Sequence, residues 1–324
     1  RKGSLSLAEL RTLVLDEADR MLEMGFQAAL DAIIDKAPKQ RQTLLFSATF
    51  PDQIQRIAKR IMQQPVMVKV ESTHDASSIV QHFYKVEDDA QRLPALRLLL
   101  LQFAPESAVV FCNTKKETQE VADALQQSGF SVLALHGDLE QRDRDETLVR
   151  FANKSACILV ATDVAARGLD IDNIEAVINY QLAHDSEVHV HRIGRSGRAG
   201  STGFALSLFT DKDHYKVALI QDYLGQIISG EALAPRSVLN NSPAQPALAT
   251  LQVDCGKKQK IRPGDILGAL TGENGIAGAQ VGKIHLFDNC AYVAVSVDAV
   301  KPALKKLGEG KMKGRAVRVR WIRG

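Results

Sequence analysis

Six strand candidates, at 81–86, 108–112, 131–135, 157–161, 176–180 and 203–208, recur through the middle of the chain. Amphipathic helix patterns fit between them, for example over 116–127 and 141–152. Strands separated by helix-length crossovers build a parallel sheet and one α/β domain of natural size. Ligands of such sheets bind at the carboxyl ends of the strands, so the loops after these runs are where chemistry is expected.

The flanks follow other plans. Strands over 11–15 and 43–46, with a helix over 27–36, are too few for a complete doubly wound domain, and the first 70 residues read as the back half of one. Residues 71–79 form an interdomain linker before the α/β domain at 80–229. A second linker, 230–249, carries Pro235, Pro243 and Pro246. Residues 250–324 then read β-α-β-β-α-β, with strands near 248–254, 281–287, 290–297 and 315–322 and helices near 263–270 and 299–307. That order is the ferredoxin-like split βαβ plan, one that RNA-recognition modules use.

Charge separates the same regions. The formal net charge of the 324 residues is +3, but residues 250–324 hold nine Lys and five Arg against six acids, a net +8 that leaves −5 on the rest. A basic module on a near-neutral body makes nucleic acid the first partner to consider. Ample aliphatic content argues against disorder, and no apolar run reaches the ~18 residues of a membrane span. Cys112, Cys157, Cys255 and Cys290 lie far apart without a C-x-x-C, which argues against a zinc site or a disulfide framework. A reducing, cytoplasmic setting and a monomer are expected. The chain starts Arg-Lys-Gly, so a piece of a longer protein is expected too.

Two segments carry chemistry. Asp16-Glu17-Ala18-Asp19 directly follows an apolar strand, where one carboxylate can hold Mg²⁺ through water and its neighbour can orient an attacking water. Alone, such a cluster also serves as N-terminal compensation of a helix dipole. His191-Arg192-Ile193-Gly194-Arg195-Ser196-Gly197-Arg198 places three arginines among small residues, a composition suited to gripping phosphate. The nearby His184, Asp185, His189 and His191 offer a weaker metal-ligand reading, disfavoured because His191 belongs to the arginine-rich motif and no Cys is close.

Together these segments resemble the DEAD-box RNA helicases over nearly the whole chain. Asp16 to Asp19 match the box itself and Ser47-Ala48-Thr49 the coupling motif. Val110 to Lys115, His136-Gly137-Asp138-Leu139 with Gln141 and Arg144, Thr162 to Asp170, and His191 to Arg198 match the later motifs in order. The resemblance implies a RecA-like α/β helicase domain, preceded by part of a first one, with ATP and Mg²⁺ as cofactors. Position by position it implies that Asp16 helps hold Mg²⁺ through water and Glu17 places the hydrolytic water. Arg195 and Arg198 become arginine fingers on the γ-phosphate, with Asp170 on the ribose and Gly168 in the nucleotide site. Asp19, Ser47, Thr49, Gln141 and His191 couple nucleotide state to domain closure. Thr114, Gly137, Arg144 and Thr162 contact RNA phosphates and sugars.

One departure counts against activity of these 324 residues alone. No G-x-x-x-x-G-K-[ST] occurs, since the Gly-Lys pairs at 256, 282 and 310 are followed by Lys, Ile and Met. Truncation ahead of Arg1 and loss of ATP hydrolysis are therefore expected.

The C-terminal segment Lys257-Lys258-Gln259-Lys260-Ile261-Arg262-Pro263-Gly264-Asp265 resembles the RNA-binding tail of DbpA-type DEAD-box proteins. The resemblance implies an α+β, RNA-recognition-like domain that directs the enzyme to large-subunit ribosomal RNA and pre-ribosomal particles. Base-stacking aromatics are scarce on the central strands, with only Tyr292. Lys257, Lys258, Lys260, Arg262, Lys283, Arg315, Arg318 and Arg320 are the expected RNA contacts, Arg318 and Arg320 sharing one face of the last strand. The alternative is a non-catalytic ribosomal-RNA-binding or chaperone fragment.

Overall fold

The structure, a computed structural model, describes residues 5–23, 25–47, 50, 52–69, 79–166, 174–197 and 203–323. It divides into two units, Arg1–Thr73 and His74–Gly324. In the first, β1 (Thr12–Leu15) and β2 (Gln42–Leu45) pair in parallel, accompanied by α1 (Ala18–Glu23), α2 (Gln27–Ile34) and α3 (Asp52–Ile61). Leu15, Leu30, Ile57 and Ile61 form its small core. Val14, Leu44 and Phe46 stay exposed on these two strands and their continuation.

The second unit contains the parallel sheet. Its strands are β3 (Val80–Lys85), β4 (Ala108–Phe111), β5 (Val132–Leu135), β6 (Ile158–Ala161), β7 (Ala176–Asn179) and β8 (Phe204–Phe209). They order β3-β8-β7-β4-β6-β5, every neighbouring pair parallel. The helices are α4 (Arg92–Phe103), α5 (Lys115–Gln127), α6 (Gln141–Ala152), α7 (Ser186–Ile193) and α8 (His214–Leu224). Both faces of the sheet are covered. Val110, Val160 and Ile178 pack with Leu96, Leu99 and Leu125 on one side, and Val109, Leu159 and Val177 with Phe151 and Ile193 on the other. Double burial is the physical reason that the central strands β4, β6 and β7 are so apolar.

A buried ion pair ties α4 to the sheet. Arg92, 3% exposed, donates to Asp213 (2.6 Å), Asp89 (2.9 Å) and the carbonyls of Tyr180 and Leu208 (3.0 Å each). Burial pushes the Asp213 carboxyl up, but the Thr210 amide and Arg92 outweigh it and hold the group below its ordinary range. Its stabilising contribution is therefore complete above the unfolded pKa and lost as pH falls through the lower folded one. Asp213→Asn is expected to cost about 3 kcal/mol, since it removes the buried one of the guanidinium's two carboxylate partners and leaves only the more exposed Asp89. It should also flatten the acid limb of a stability–pH curve. Thermal unfolding of both proteins across pH 3–7 checks this, and equal melting temperatures would contradict it.

Residues 230–249, a linker by connectivity, pack on the body. Leu233, Val238 and Leu239 join the core beneath α4, and Gln245 donates to the Gly129 carbonyl at 3.1 Å. The tail domain follows with β9 (Leu248–Val253), α9 (Pro263–Thr271), β10 (Val281–Leu286), β11 (Ala291–Ser296), α10 (Val300–Glu309), β12 (Lys311–Met312), β13 (Arg315–Ala316) and β14 (Val319–Ile322). Its four-stranded sheet orders β10-β11-β9-β14, all antiparallel, over a core that includes Leu251, Val293, Ile266 and Leu307.

The last strand differs from its expected span of 315–322. Lys313 (φ 49°) and Gly314 (φ 79°) close a two-residue hairpin that pairs Met312 with Arg315, so β14 starts only at Val319. Arg318 therefore precedes the assigned strand, but its carbonyl still accepts from the Asp254 amide (3.0 Å), and with Val317 and Val319 packed on the tail core Arg318 and Arg320 stay on the same, opposite side.

The sheet face opposite the tail core is also covered. Thr250 and Ala294 are fully buried, and Gln252 and Tyr292 nearly so. Asn153, just past α6, donates to Thr250 Oγ1 (3.1 Å) and faces His285 Nε2 (3.1 Å), while Ser155 meets Thr250 at 2.7 Å. The face on which base-stacking side chains stand in RNA-recognition folds is here packed on the helicase body.

Candidate nucleotide and RNA site

The sheet delivers its polar residues at the carboxyl ends of its strands, as parallel sheets do. Thr114 follows β4 and caps α5, accepting from the Glu117 amide (3.2 Å) and facing Glu117 Oε2 at 3.0 Å. Gly137 follows β5 beside Lys115, which is paired with Asp138 at 2.5 Å. Thr162 follows β6 and is 7% exposed, its hydroxyl accepting from the Ala165 amide (3.3 Å). Arg144 on α6 donates to the Ala165 carbonyl at 2.7 Å, which brings it beside the Thr162 turn. Gln141, at the start of α6, is exposed and donates to Asp145.

The arginine-rich segment does not act as one uniform phosphate grip. Arg192 is 2% exposed on α7 and uses all five donors inside the protein. Nε and Nη2 reach Asp163 at 2.7 and 2.8 Å, Nη1 reaches Asn179 Oδ1 (3.1 Å) and the Gln181 carbonyl (2.7 Å), and Nη2 also reaches Asn113 Oδ1 (2.9 Å). Its guanidinium lies 5.1 Å from the Phe111 ring centre. Of the three arginines that the motif offers to phosphate, this one is withdrawn. Arg195 follows the end of α7, half-buried, in a turn whose Ser196 is pinned by a hydrogen bond to the Glu175 carbonyl (3.0 Å). Gly203 is needed there, because a Cβ on it would stand 1.9 Å from Ser196 Oγ. His191 is half-buried on the same helix. Arg198, Gly168, Asp170 and Thr49 lie outside the described residues.

Two neighbouring groups are chemically quiet. Burial, helped by the Arg192 charge, pushes His189 down to about 4, so it is neutral near pH 7, with Nε2 on Gln81. Burial pushes the Cys112 thiol up to about 12, and it stays protonated.

In the first unit the acidic segment leaves β1 with Asp16 and Glu17 exposed and Asp19 buried. Glu17 sits at φ 49°, a left-handed conformation unusual outside glycine. The Asp19 amide donates to Ser47 Oγ at 3.2 Å, and the Ala18 amide to the Phe46 carbonyl at 3.0 Å. Two residues expected to act together are thus joined by the adjacent strand ends.

In the tail, Gly256 allows the basic loop to lie against the β10–β11 turn, since a Cβ there would stand 2.2 Å from the Phe287 carbonyl oxygen. The Lys257 and Lys258 amides then donate to Phe287 and Asp288 carbonyls at 2.9 Å each. Lys313 reaches from the hairpin to the Lys260 carbonyl (2.6 Å) and to Asp265 (2.9 Å), so loop and hairpin form one basic edge. Arg262 directly precedes α9 and Lys283 lies on β10, both exposed, as are Arg315 and Arg318. Arg320, exposed as well, donates to Gln252 (2.9 and 2.6 Å) and stands 3.8 Å from Glu146 on α6.

Family comparison agrees with this geometry. Residues 1–57 match the DEAD/DEAH box helicase family, residues 91–200 the helicase conserved C-terminal domain, and residues 250–321 the DbpA RNA binding domain. The ATP-dependent RNA helicase DbpA of Escherichia coli is 50% identical over 323 residues, covering 100% of this chain and 70% of that protein. The chain belongs to the DbpA-like DEAD-box RNA helicases.

The Bacillus subtilis DbpA is 34% identical over 338 residues, 98% of this chain and 71% of that one. Among solved structures, Saccharomyces cerevisiae Dbp5 bound to RNA and ADP BeF3 matches with a TM-score of 0.62 and 32% identity, over 70% of this chain and 61% of that one. As a member of this family the chain is an ATP-dependent RNA helicase by class, with RNA as partner. Its RecA-like sheet and its RNA-binding tail are the folds expected for it. No helix among the described residues is long and apolar enough to cross a membrane. No group of three or more His, Cys, Asp or Glu among them is placed to hold a metal ion. Asp185 instead caps α7 through the Val188 amide (2.7 Å) and pairs with His184. The polar network of Asn113, Glu117, Asp163, Asn179 and Gln181 is not expected from the sequence. Its signal is present, since Asn113 and Asp163 lie inside helicase motifs, but side-chain partners cannot be read from a motif.

Proposed function

We propose that this helicase hydrolyses ATP to separate short RNA duplexes and is brought to large-subunit ribosomal RNA, in pre-ribosomal particles, by its tail. The observation that carries the reading is the joint presence of the motif residues at the strand ends and a +8 tail whose basic loop is pinned in place. The solved relative bound to RNA and ADP BeF3 supports both ligands for this fold. Arg195 and Arg198 stabilise charge on the γ-phosphate, Asp170 and Gly168 hold the nucleotide, and Glu17 orients the attacking water. Asp16 offers hard carboxylate oxygen at an exposed strand tip, a donor set that suits a largely hydrated Mg²⁺. Asp19, Ser47, Thr49, Gln141 and His191 couple nucleotide state to RNA. Thr114, Gly137, Arg144 and Thr162 take the RNA backbone, which carries no sequence information. Targeting belongs to Lys257, Lys258, Lys260, Arg262, Lys283, Arg315 and Arg318, with Arg320 turned toward the body. The protein acts as a monomer in the cytoplasm.

Lacking a phosphate loop, residues 1–324 by themselves are expected to turn over ATP at background with or without RNA, while still binding RNA. Steady-state hydrolysis on this polypeptide checks that, and RNA-stimulated turnover would contradict it. Targeting is tested by the same polypeptide's affinity for fragments of large- and small-subunit ribosomal RNA at one salt concentration. Preference for one large-subunit fragment is expected; equal affinity for all would remove the ribosomal assignment.

A further inference from the structure

The buried guanidinium of Arg192 is the junction of an unusually complete hydrogen-bond network. One arm runs through Asn113 Oδ1 (2.9 Å). The Asn113 amide donates to Gln181 Oε1 (3.0 Å), Gln181 Nε2 donates to Glu117 Oε1 (2.6 Å), and Glu117 Oε2 meets the Thr114 hydroxyl (3.0 Å). The second arm is the two-point pair with Asp163, the residue after Thr162, whose turn also holds Arg144 through the Ala165 carbonyl (2.7 Å). The third is covalent, because Arg192 lies on α7 between His191 and the turn that carries Arg195, whose amide donates to the Arg192 carbonyl (3.1 Å). Strand ends β4, β6 and β7 and helix α7 thus meet at one side chain.

Resting on the functional reading above, we infer that Arg192 is a positioning residue. It links the residues proposed to touch RNA, Thr114, Arg144 and Thr162, to the helix that presents Arg195, so that RNA contact sets the finger. The physical grounds are burial and full use of donors. A charge with five satisfied bonds in a low-dielectric interior fixes every partner's position, and losing one partner is felt by the others. Lysine cannot replace it, because its ammonium has three donors at a single point rather than a planar fork. A purely structural role predicts lower stability and uniformly lower activity. Positioning predicts that RNA's effect on turnover is lost selectively.

The test uses the helicase as encoded by its own gene, including whatever precedes Arg1, and measures ATP turnover with saturating RNA and without RNA. Two variants are compared with wild type. Asn113→Ala removes the Asn113 Oδ1 link of the first arm while keeping the Asp163 pair and the bond to the Gln181 carbonyl; Arg192→Lys removes the fork. Asn113→Ala is expected to cut the ratio of RNA-stimulated to basal kcat by about tenfold, with nucleotide KM and melting temperature close to wild type. Arg192→Lys should cut the ratio at least as far, and in the double variant the two losses should fall short of additive. If Arg192→Lys fails to fold, Asn113→Ala decides alone. An unchanged ratio in Asn113→Ala, or a ratio unchanged in Arg192→Lys while its melting temperature falls, would overturn the inference and leave a packing role. A wild-type protein with no RNA-stimulated turnover overturns the functional reading itself, and the positioning role with it.

Discussion

Replacing Arg195 by alanine in the ATP-competent helicase is expected to lower RNA-stimulated turnover by about 10³-fold or more, the scale of an arginine finger. RNA capture by the tail should stay within about twofold of wild type, because additive behaviour holds for distant sites. The expectation follows from the division of labour inside the motif. Arg192 has no donor left for a ligand, whereas Arg195 stands half-buried in a turn held by Ser196 and permitted by Gly203. A finger must be held rigidly yet reach a γ-phosphate, and that turn supplies the rigidity. Single-turnover hydrolysis with saturating RNA is the measurement. Turnover within tenfold of wild type would refute the finger role.

The second large effect concerns salt. The basic loop and hairpin present Lys257, Lys258, Lys260, Arg262 and Arg315 along one edge, with Lys283 and Arg318 exposed elsewhere on the tail. If six or more of these neutralise phosphates, RNA affinity of the 324-residue chain should fall by about 10³-fold or more between 50 and 200 mM salt. Changing Lys257, Lys258 and Lys260 together to alanine should lower the slope by roughly 0.7 to 0.9 for each phosphate that is no longer neutralised. Arg320→Ala should leave that slope nearly unchanged, because its guanidinium is held by Gln252 and Glu146. Fluorescence anisotropy across a salt series distinguishes these cases, and a flat dependence would contradict phosphate-driven binding.

Much of the fold was legible because double burial leaves a plain mark. Ala108–Phe111, Ile158–Ala161 and Ala176–Asn179 are buried at every position, and each appears in the sequence as an apolar run. Helix α4 leaves no such mark. Leu96 and Leu98 to Leu101 are all buried, so its apolar residues crowd together without a clear one-sided stripe. The hairpin at Lys313-Gly314 was missed for a local reason, as a lysine in a left-handed turn resembles any other lysine in a basic run. The site shows the same split. Motif order points to particular strand ends, but Arg192 and Arg195 differ only in three-dimensional surroundings. Tyr292 is similar. On a β-α-β-β-α-β plan it is the candidate stacking aromatic, yet it is 2% exposed, edge-on to Phe287, its hydroxyl pushed up by burial.

The proposed function is that of an RNA helicase whose tail selects ribosomal RNA. Strand displacement by the genomically encoded protein tests it most directly, comparing a short duplex joined to a large-subunit ribosomal RNA fragment with the same duplex joined to an unrelated RNA of equal length. ATP-dependent displacement is expected on the ribosomal substrate, at a rate that falls to background with Arg195→Ala. Displacement that ignores ATP, or that proceeds equally on both substrates at limiting protein, would contradict it.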